Sequence, residues 1–205
     1  TVAVHSEDEY RLKQRKKDFL NKKILVSDHP FIRDVESAVI STTRLIKAAR
    51  TSKKKIHILH LSTANEVDLL KSNKDIATCE ATPQHLFFHS QECYERLGTL
   101  AQMNPPIRDK SHSKVIWQGV KTGVIDVIGS DHAPHTLEEK SKEYPNSPSG
   151  MPGVQTLLPI MLDFVNKKKL SIFDLVRLLC TNPCNIYKVL NKGRIDIGYD
   201  ADLTI

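Results

Sequence analysis

Short apolar stretches of strand type alternate with longer amphipathic stretches of helix type along most of this sequence. The strand-type stretches cover residues 2–5, 55–62, 75–83 and 124–131. The clearest helix-type stretches cover residues 34–50, 111–122, 154–166 and 172–180, and a shorter one begins near Thr63 or Asn65. Helices between successive strands favour parallel βα units, because antiparallel neighbours need only a short turn. The pattern therefore predicts an α/β fold built on a parallel sheet.

Both ends of the sequence fall inside strand-like residues, "TVAVHSED" at the start and "GYDADLTI" at the end. We therefore interpret the chain as a fragment of a larger fold. The stretch "TNPCNIY" predicts a turn that closes the βα units, and residues 193–205 predict short strands separated by turn residues. The expected organisation is a βα domain over residues 1–192, followed over residues 193–205 by the start of a small, truncated β-rich module.

Charge and cysteine content narrow the class of protein. The net charge is +6, but the lysines occur in scattered short runs, and no aromatic RNA-binding box or zinc-finger spacing accompanies them. Four cysteines without a CxxC pair favour reduced thiols. The sequence has no apolar run long enough to span a membrane and no signal peptide. We therefore expect a soluble, cytoplasmic protein that acts on a small molecule and binds neither nucleic acid nor a membrane.

Three polar residues lie where predicted strands end: His5, His60 and Asp131. The carboxyl ends of parallel strands meet at one edge of a sheet, where the chemistry of such folds gathers. Neutral imidazole nitrogens and a carboxylate suit Zn²⁺, and an incomplete protein ligand set leaves a position for water. We therefore predict a metal site at which Asp131 also acts as general base and then as general acid. The alternatives are a helix cap for Asp131 and structural hydrogen bonds for the histidines.

The neighbouring acids and the remaining histidines are assigned from their positions. His57 lies an odd number of residues before His60, so regular strand alternation turns the two rings to opposite faces. The strand-end position favours His60 as the ligand, and His57 is then a structural group. Glu7 and Asp8 either hydrogen-bond a metal ligand or are solvated acids at the start of a helix. The other histidines are interpreted as structural or surface groups: His29, His85, His89, His112 and His132.

The loops after the strands contain candidate substrate-binding groups. In "NPPIR", two prolines restrict the backbone, so Asn104 has little freedom to lose on binding a polar ligand. His135 suits an anionic substrate group, and the glycines of "SPSGMPG" allow backbone groups to approach a ligand, unless this is an ordinary surface loop. Arg108 either binds a carboxylate or is an exposed arginine.

Five segments together resemble a known family: "VHSED", "HILHLST", "CEATPQHLFF", "NPPIRDK" and "GSDHAPHTLEEK". They occur in the order found in the amidohydrolase superfamily and, within it, in the dihydroorotases. The resemblance implies a (β/α)8 TIM barrel of the metal-dependent amidohydrolase type. This chain would then contain mainly strands five to eight and the start of a small β-sandwich near Gly193.

The resemblance also implies a ligand set and a reaction. His5 and His60 would bind one of two zinc ions, and Asp131 would be both a ligand and the proton carrier. The reaction would be the reversible ring closure of N-carbamoyl-L-aspartate to L-dihydroorotate in pyrimidine biosynthesis. A homodimer or an association with another enzyme of that pathway would be consistent with the family.

The same resemblance implies where the substrate binds. Asn104 and His135 would hold it, and Ser149 with Gly150 would supply a backbone contact. The family's first "HxH", the arginine beside it and the lysine that bridges the metals belong to strands one to four, and the sequence contains none of them. We therefore expect the 205 residues alone to be inactive. The alternatives are a dihydropyrimidinase- or allantoinase-type cyclic amidase, and a non-catalytic scaffold protein.

Overall fold

Four short strands form one parallel sheet in the part of the chain that this computed structural model describes, residues 1–19 and 23–204. The strands are β1 (Val2–Val4), β2 (Ile56–Ile58), β3 (Ala77–Ala81) and β4 (Val127–Ile128). They lie side by side in sequence order, and every neighbouring pair is parallel. All four predicted strands are therefore confirmed, although each paired segment is shorter than the apolar stretch that predicted it.

Helices connect and flank these strands. In chain order they are α1 (Glu9–Asp18), α2 (His29–Ile32), α3 (Val35–Ser52), α4 (Ala64–Lys71), α5 (Pro83–Phe87), α6 (Ser90–Leu97), α7 (Lys110–Thr122), α8 (Leu137–Lys140), α9 (Val154–Asn166), α10 (Ile172–Val176) and α11 (Asn182–Tyr187). Short 3-10 turns lie at Val26–Asp28 and Gly98–Ala101, and a π-helical turn at Arg177–Thr181 joins α10 to α11. None of the helices within the described residues combines the length and apolar character that crossing a membrane requires.

Side-chain caps set where several helices begin. Asp8 starts α1, Asp34 starts α3 and Thr63 starts α4, each by accepting a hydrogen bond from a backbone N–H in the first turn. Asp109 and Ser171 do the same for α7 and α10. The first N–H groups of a helix have no partner within the helix, so a cap stabilises the start by about 1 kcal/mol. These caps explain why the predicted starts of α3, α4 and α7 agree closely with the observed ones.

The main hydrophobic core lies between the sheet and helices α3, α4, α7 and α9. Ile56 and Ile58 of β2 are buried in this core, with Val67 of α4 and Met161 of α9 packed in the same cluster. Because side chains alternate along a strand, His57 between the two isoleucines points to the opposite face of the sheet. One face of the sheet is therefore covered by helices, and the other carries polar groups.

Residues 182–187 correct one prediction, because they form helix α11 where "TNPCNIY" predicted a turn. Pro183 lies in the first turn of this helix. A proline is tolerated there, since the backbone N–H that it lacks would have no partner within the helix. An Asn-Pro pair is thus compatible with a helix start as well as with a turn, and the contacts of the folded chain select the helix.

The final segment also differs from its prediction. Residues 193–204 form turns and irregular backbone, with no strand among them. Ile195 and Ile197 are 89% and 100% exposed, so no apolar surface packs on this segment to hold it against a sheet. The last residue of the chain, position 205, lies outside the described residues. The assignment of residues 193–205 to a second module stays a prediction.

Candidate metal and substrate site

Two of the predicted metal ligands are in direct contact at the carboxyl ends of β1 and β2. His5 directly follows β1, and His60 lies just beyond the end of β2. His5 Nδ1 and His60 Nε2 are 3.0 Å apart, and the ring centroids are 4.8 Å apart in an edge-to-face arrangement. The parallel pairing of β1 with β2 brings these residues together from 55 positions apart. The two rings share one site, and their role as metal ligands stays a prediction.

The buried carboxylate of Glu7 joins this pair to Arg33. Glu7 Oε2 is 3.0 Å from His5 Nε2, and the Arg33 guanidinium donates to both oxygens of the same carboxylate. Burial alone would raise the pKa of Glu7, but the hydrogen bond from His5 and the charge of Arg33 outweigh it and lower the pKa to about 2. An ionised carboxylate on Nε2 leaves the lone pair of His5 on Nδ1, facing the site. Of the two acids that the sequence offered as hydrogen-bond partners of a predicted ligand, Glu7 bonds to His5, whereas Asp8 caps α1.

His60 and Asp131 share an unusual backbone conformation. Their φ angles are 36° and 44°, in the left-handed region that residues other than glycine seldom adopt. Lys53 and Lys188 also have positive φ, but they end helices α3 and α11, where this conformation is common. Strained residues that follow strands, outside helix ends, are typical of functional sites. Both residues are ligands that the sequence predicts.

Asp131, the third predicted ligand, follows β4. It caps none of the described helices, since α8 begins after Thr136 and α9 after Gly153, so the capping alternative does not hold within these residues. Burial raises the pKa of Asp131, attraction to His60 opposes that rise, and repulsion from Glu80 reinforces it. Asp131 therefore interacts electrostatically with His60, and its carboxyl group holds a proton more readily than an exposed aspartate.

The two histidines fit part of a metal site. Two nitrogens bound to one tetrahedral Zn²⁺ lie about 3.3 Å apart, close to the observed separation of the facing ring nitrogens. His60 Nδ1 is buried without a hydrogen-bond partner among the described residues, a costly state for a purely structural histidine. Within residues 1–19 and 23–204, no group of three or more His, Cys, Asp or Glu side chains is arranged to hold a metal ion. A ligand set that includes Asp131 therefore stays a prediction.

His57 has a structural environment, as the sequence indicated. It is fully buried, with Nδ1 2.8 Å from Thr78 Oγ1 and Nε2 3.3 Å from Glu80 Oε2. Strand alternation is not what separates it from His60, because β2 ends at Ile58 and the left-handed backbone redirects His60. Other histidines also bond to the backbone, namely His85 to Pro105, His112 to Ala64 and His132 to Gly153.

Asn104, a predicted substrate contact, precedes α7 and is partly buried. Its Oδ1 is 3.1 Å from Nε2 of His29, which also lies 2.9 Å from the carbonyl oxygen of Met103. His29 is 4% exposed, and its Nδ1 is 3.1 Å from the hydroxyl of Tyr144. The sequence predicts only a structural or surface role for His29, because no local signal joins residues 75 positions apart.

Arg108 is buried, which corrects its interpretation as an exposed arginine. Its Nε donates to Ser62 Oγ at 3.1 Å, and its Nη1 donates to the carbonyl oxygen of Arg33 at 2.9 Å. A guanidinium whose donors are directed at protein oxygens has little left for a ligand. Arg108 therefore holds the chain around α2 and α7 together and is not a candidate for binding a substrate carboxylate.

The other predicted substrate residues lie close together in the connection between β4 and α9, on either side of α8. His135 Nε2 is 3.3 Å from the carbonyl oxygen of Ser149, and a Cβ at Gly150 would lie 3.2 Å from His135 Cδ2. Gln102 Nε2 donates to Ser149 Oγ at 3.0 Å, and buried Lys140 donates to the carbonyl of Gly150 at 3.1 Å. Burial lowers the pKa of Lys140 to about 8. The sequence gives no signal for Gln102 or Lys140, since neither residue follows a strand or lies in a glycine-rich turn.

Gly150 is a position where one added methyl group is expected to disturb the site. Its φ is +147°, and a Cβ there would lie 2.5 Å from the carbonyl oxygen of Ala133. We expect Gly150→Ala to lower the free energy of unfolding by about 1–3 kcal/mol in urea titration and to raise KM, because the loop has to move. Gly123→Ala is the matched control, since Gly123 also has positive φ, but no atom would meet its Cβ within 4 Å. Equal effects of the two variants would contradict the close approach.

The fold and the site define an α/β protein of barrel type, with its polar site at the carboxyl ends of parallel strands. The sequence pattern of the amidohydrolase family matches residues 4–205. The chain belongs to the amidohydrolase family. The resemblance seen in the sequence motifs is thereby confirmed.

Curated dihydroorotases are similar to this chain in sequence. A dihydroorotase from Methanosphaera stadtmanae is 39% identical over 210 residues, a match that covers 100% of this chain and 48% of that protein. A dihydroorotase from Halobacterium salinarum is 35% identical over 204 residues and is matched over 47% of its length, again by the whole of this chain. The chain therefore spans about half the length of the curated relatives it matches.

Solved structures share the fold. An L-hydantoinase (dihydropyrimidinase) from Arthrobacter aurescens superposes with a TM-score of 0.91 at 27% identity, over 97% of this chain and 46% of that one. A D-hydantoinase (dihydropyrimidinase) from Thermus sp. gives a TM-score of 0.89 at 23% identity, over 98% of this chain and 46% of that one. The second likeness shows the fold alone. The predicted barrel-type α/β architecture is confirmed.

Proposed function

We propose that the full-length gene product is a dihydroorotase, a zinc-dependent cyclic amidohydrolase that interconverts N-carbamoyl-L-aspartate and L-dihydroorotate in pyrimidine biosynthesis. The observation that carries this proposal is the meeting of His5 and His60 at the carboxyl edge of the sheet, where their facing ring nitrogens are 3.0 Å apart. Asp131 follows β4 at the same edge of the sheet. The curated dihydroorotases that match the whole of this chain support the choice of substrate.

The roles of the residues follow from their surroundings. Zinc, when bound, would polarise the amide carbonyl and lower the pKa of water. His5 and His60 would hold the metal, and Glu7 keeps Nε2 of His5 occupied so that Nδ1 remains available. In the hydrolytic direction, Asp131 takes the proton of the attacking water and returns it to the departing ring nitrogen. The raised pKa of Asp131 favours this exchange, because a more basic carboxylate is a better proton acceptor.

The substrate is assigned to the loops beside these residues. Asn104 and His135 would bind oxygen atoms of the substrate, and the net charge of +6 would favour an anionic one. The N–H of Gly150 already donates to the carbonyl oxygen of Gln102 at 2.9 Å. We therefore assign the backbone contact to the Gly150 carbonyl, which keeps a second lone pair beside its bond from Lys140 and can accept a ring N–H.

A substrate panel tests the proposal. The purified, zinc-loaded full-length gene product is assayed with L-dihydroorotate, N-carbamoyl-L-aspartate, hydantoin, dihydrouracil and allantoin. We expect turnover of the first two at rates far above the others. Turnover of hydantoin or allantoin without turnover of dihydroorotate would contradict the proposal.

A second candidate function is that of a hydantoinase or dihydropyrimidinase. The observation that favours it is the structural likeness to the Arthrobacter aurescens L-hydantoinase, at 27% identity. The same substrate panel separates the two candidates, because the two reactions require different cyclic amides. A non-catalytic scaffold is separated from both by its metal content, since it would contain no zinc as purified.

The 205 residues alone are proposed to be inactive. The described residues bring two imidazoles together and include no complete metal-binding group, and the chain spans about half of its matched relatives. Expression of residues 1–205 beside the full-length gene product tests this, with turnover of L-dihydroorotate as the measurement. Equal rates per molecule would contradict it.

A further inference from the structure

His29 contacts three groups from a buried position. Its Nε2 is 2.9 Å from the Met103 carbonyl oxygen and 3.1 Å from Asn104 Oδ1, and its Nδ1 is 3.1 Å from the Tyr144 hydroxyl. Of these groups, the proposed function uses only Asn104. His29 is therefore a buried titratable residue that contacts a proposed substrate-binding residue, Asn104, and has no role in the proposed function.

The hydrogen on the His29 ring is assigned from its partners. The Met103 carbonyl can only accept a hydrogen bond, so Nε2 has to carry the hydrogen. Burial lowers the pKa of His29 to about 4, so the ring is neutral near pH 7 and carries a single N–H. Nδ1 is then an acceptor, and it takes the hydrogen of the Tyr144 hydroxyl, whose pKa burial raises to about 12.

This assignment determines which way the Asn104 amide points. An N–H group on His29 requires the oxygen of the amide, and not its NH2 group, at the 3.1 Å contact. The NH2 group therefore faces away from His29. Among residues 1–19 and 23–204, no hydrogen bond from this NH2 group to a protein acceptor is present, and Asn104 as a whole is only partly buried.

We propose that His29 is a positioning residue that fixes the Asn104 amide so that its NH2 group donates to an acceptor oxygen of the substrate. This inference rests on the proposed function, because it takes Asn104 as a substrate contact. The inference specifies that Asn104 donates a hydrogen bond to the substrate. The sequence left this open, since an asparagine amide can either donate or accept a hydrogen bond. A substrate with a carbonyl or carboxylate oxygen at this position is then favoured over one that offers an N–H.

Two substitutions separate positioning from simple packing. Glutamine places an amide NH2 where the Nε2–H of His29 lies, so His29→Gln keeps the donor to Asn104, whereas His29→Leu fills similar space without it. We expect His29→Leu to raise KM for L-dihydroorotate about tenfold with little change in kcat. We expect His29→Gln to remain within about threefold of the wild-type KM. Equal KM values for the two variants would overturn the inference.

His112→Leu is the control, because His112 is a half-buried histidine whose Nδ1 accepts the backbone N–H of Ala64 at the start of α4. We expect its KM to be unchanged. Asn104→Asp tests the polarity directly, since a carboxylate still accepts from His29 but has no NH2 group. It is expected to lose at least as much affinity for L-dihydroorotate as Asn104→Ala, and wild-type affinity would overturn the inference.

A spectroscopic measurement does not depend on turnover. In the full-length gene product labelled with ¹⁵N-histidine, the ring signals of His29, assigned by their loss in His29→Gln, report which nitrogen is protonated. We expect hydrogen on Nε2 alone near pH 7, and hydrogen on Nδ1 would overturn the inference whatever the substrate. If the enzyme hydrolyses hydantoin and not dihydroorotate, the proposed function fails, and the same variants are compared on hydantoin.

Discussion

Replacing Asp131 by asparagine is expected to lower kcat of the full-length gene product on L-dihydroorotate by about 10³-fold, while the protein remains folded. The amide cannot take the proton of the attacking water or return it to the ring nitrogen. Asparagine is also one of the few residues that tolerate a left-handed backbone, so the φ of 44° at this position should be kept. Steady-state kinetics and the urea unfolding midpoint are the measurements.

Asp109→Asn is the matched control for this experiment. Asp109 is also an aspartate after a loop, but it caps α7 through the N–H of Ser111. Asparagine caps a helix nearly as well, so neither kcat nor stability should change much. Wild-type kcat in Asp131→Asn would show that another group carries the proton.

Replacing His60 by asparagine is expected to lower the zinc affinity of the full-length gene product by more than about 100-fold. Altering only the hydrogen-bond partner of a metal ligand already lowers metal affinity by about 10- to 100-fold, and removing the ligand itself should cost more. Wild-type protein should contain about two zinc ions per chain, as in two-metal hydrolase sites. Zinc content after dialysis and competition with a chelator are the measurements. The substitution keeps a residue that accepts the left-handed φ of 36°.

His112→Asn serves as the control for metal binding, since the ring of His112 accepts the backbone N–H of Ala64 at the start of α4. It should retain wild-type zinc content. Full zinc content in His60→Asn would remove His60 from the ligand set. Absence of zinc from the wild-type protein as purified would support the scaffold alternative instead.

The predicted elements succeed where the signal is local. Helices α3 and α9 are delimited by a cap or by their own apolar spacing, and both are found within about two residues of the predicted bounds. The turn predicted at "TNPCNIY" fails because an Asn-Pro pair is compatible with two conformations. The strands expected in residues 193–204 fail because a strand needs a neighbouring backbone to pair with, which composition cannot supply.

The part of the candidate site that could be predicted from the sequence consists of residues that directly follow strands, because the carboxyl ends of parallel strands meet at one edge of the sheet. His5 and His60 follow different strands, and pairing of β1 with β2 is enough to bring them together. Ser149 and Gly150 were predicted as substrate contacts from the resemblance of their motif to the family, and not from their position relative to a strand. In the structure, their loop packs against His135. Lys140 lay outside the prediction, because its buried ammonium donates to three carbonyl oxygens that only the fold brings together, those of Gln102, Pro148 and Gly150.

The sequence by itself determined the order of strands and helices, the amphipathic faces that pack on the sheet and the choice of polar residues at the strand ends. These features depend on periodicity and capping within a few residues. Only the tertiary structure decided that Glu7 orients His5 and that His29 orients Asn104. The direction of a hydrogen bond depends on which donors and acceptors burial brings within 3 Å or so of each other, and residues far apart in the chain acquire such neighbours only when it folds.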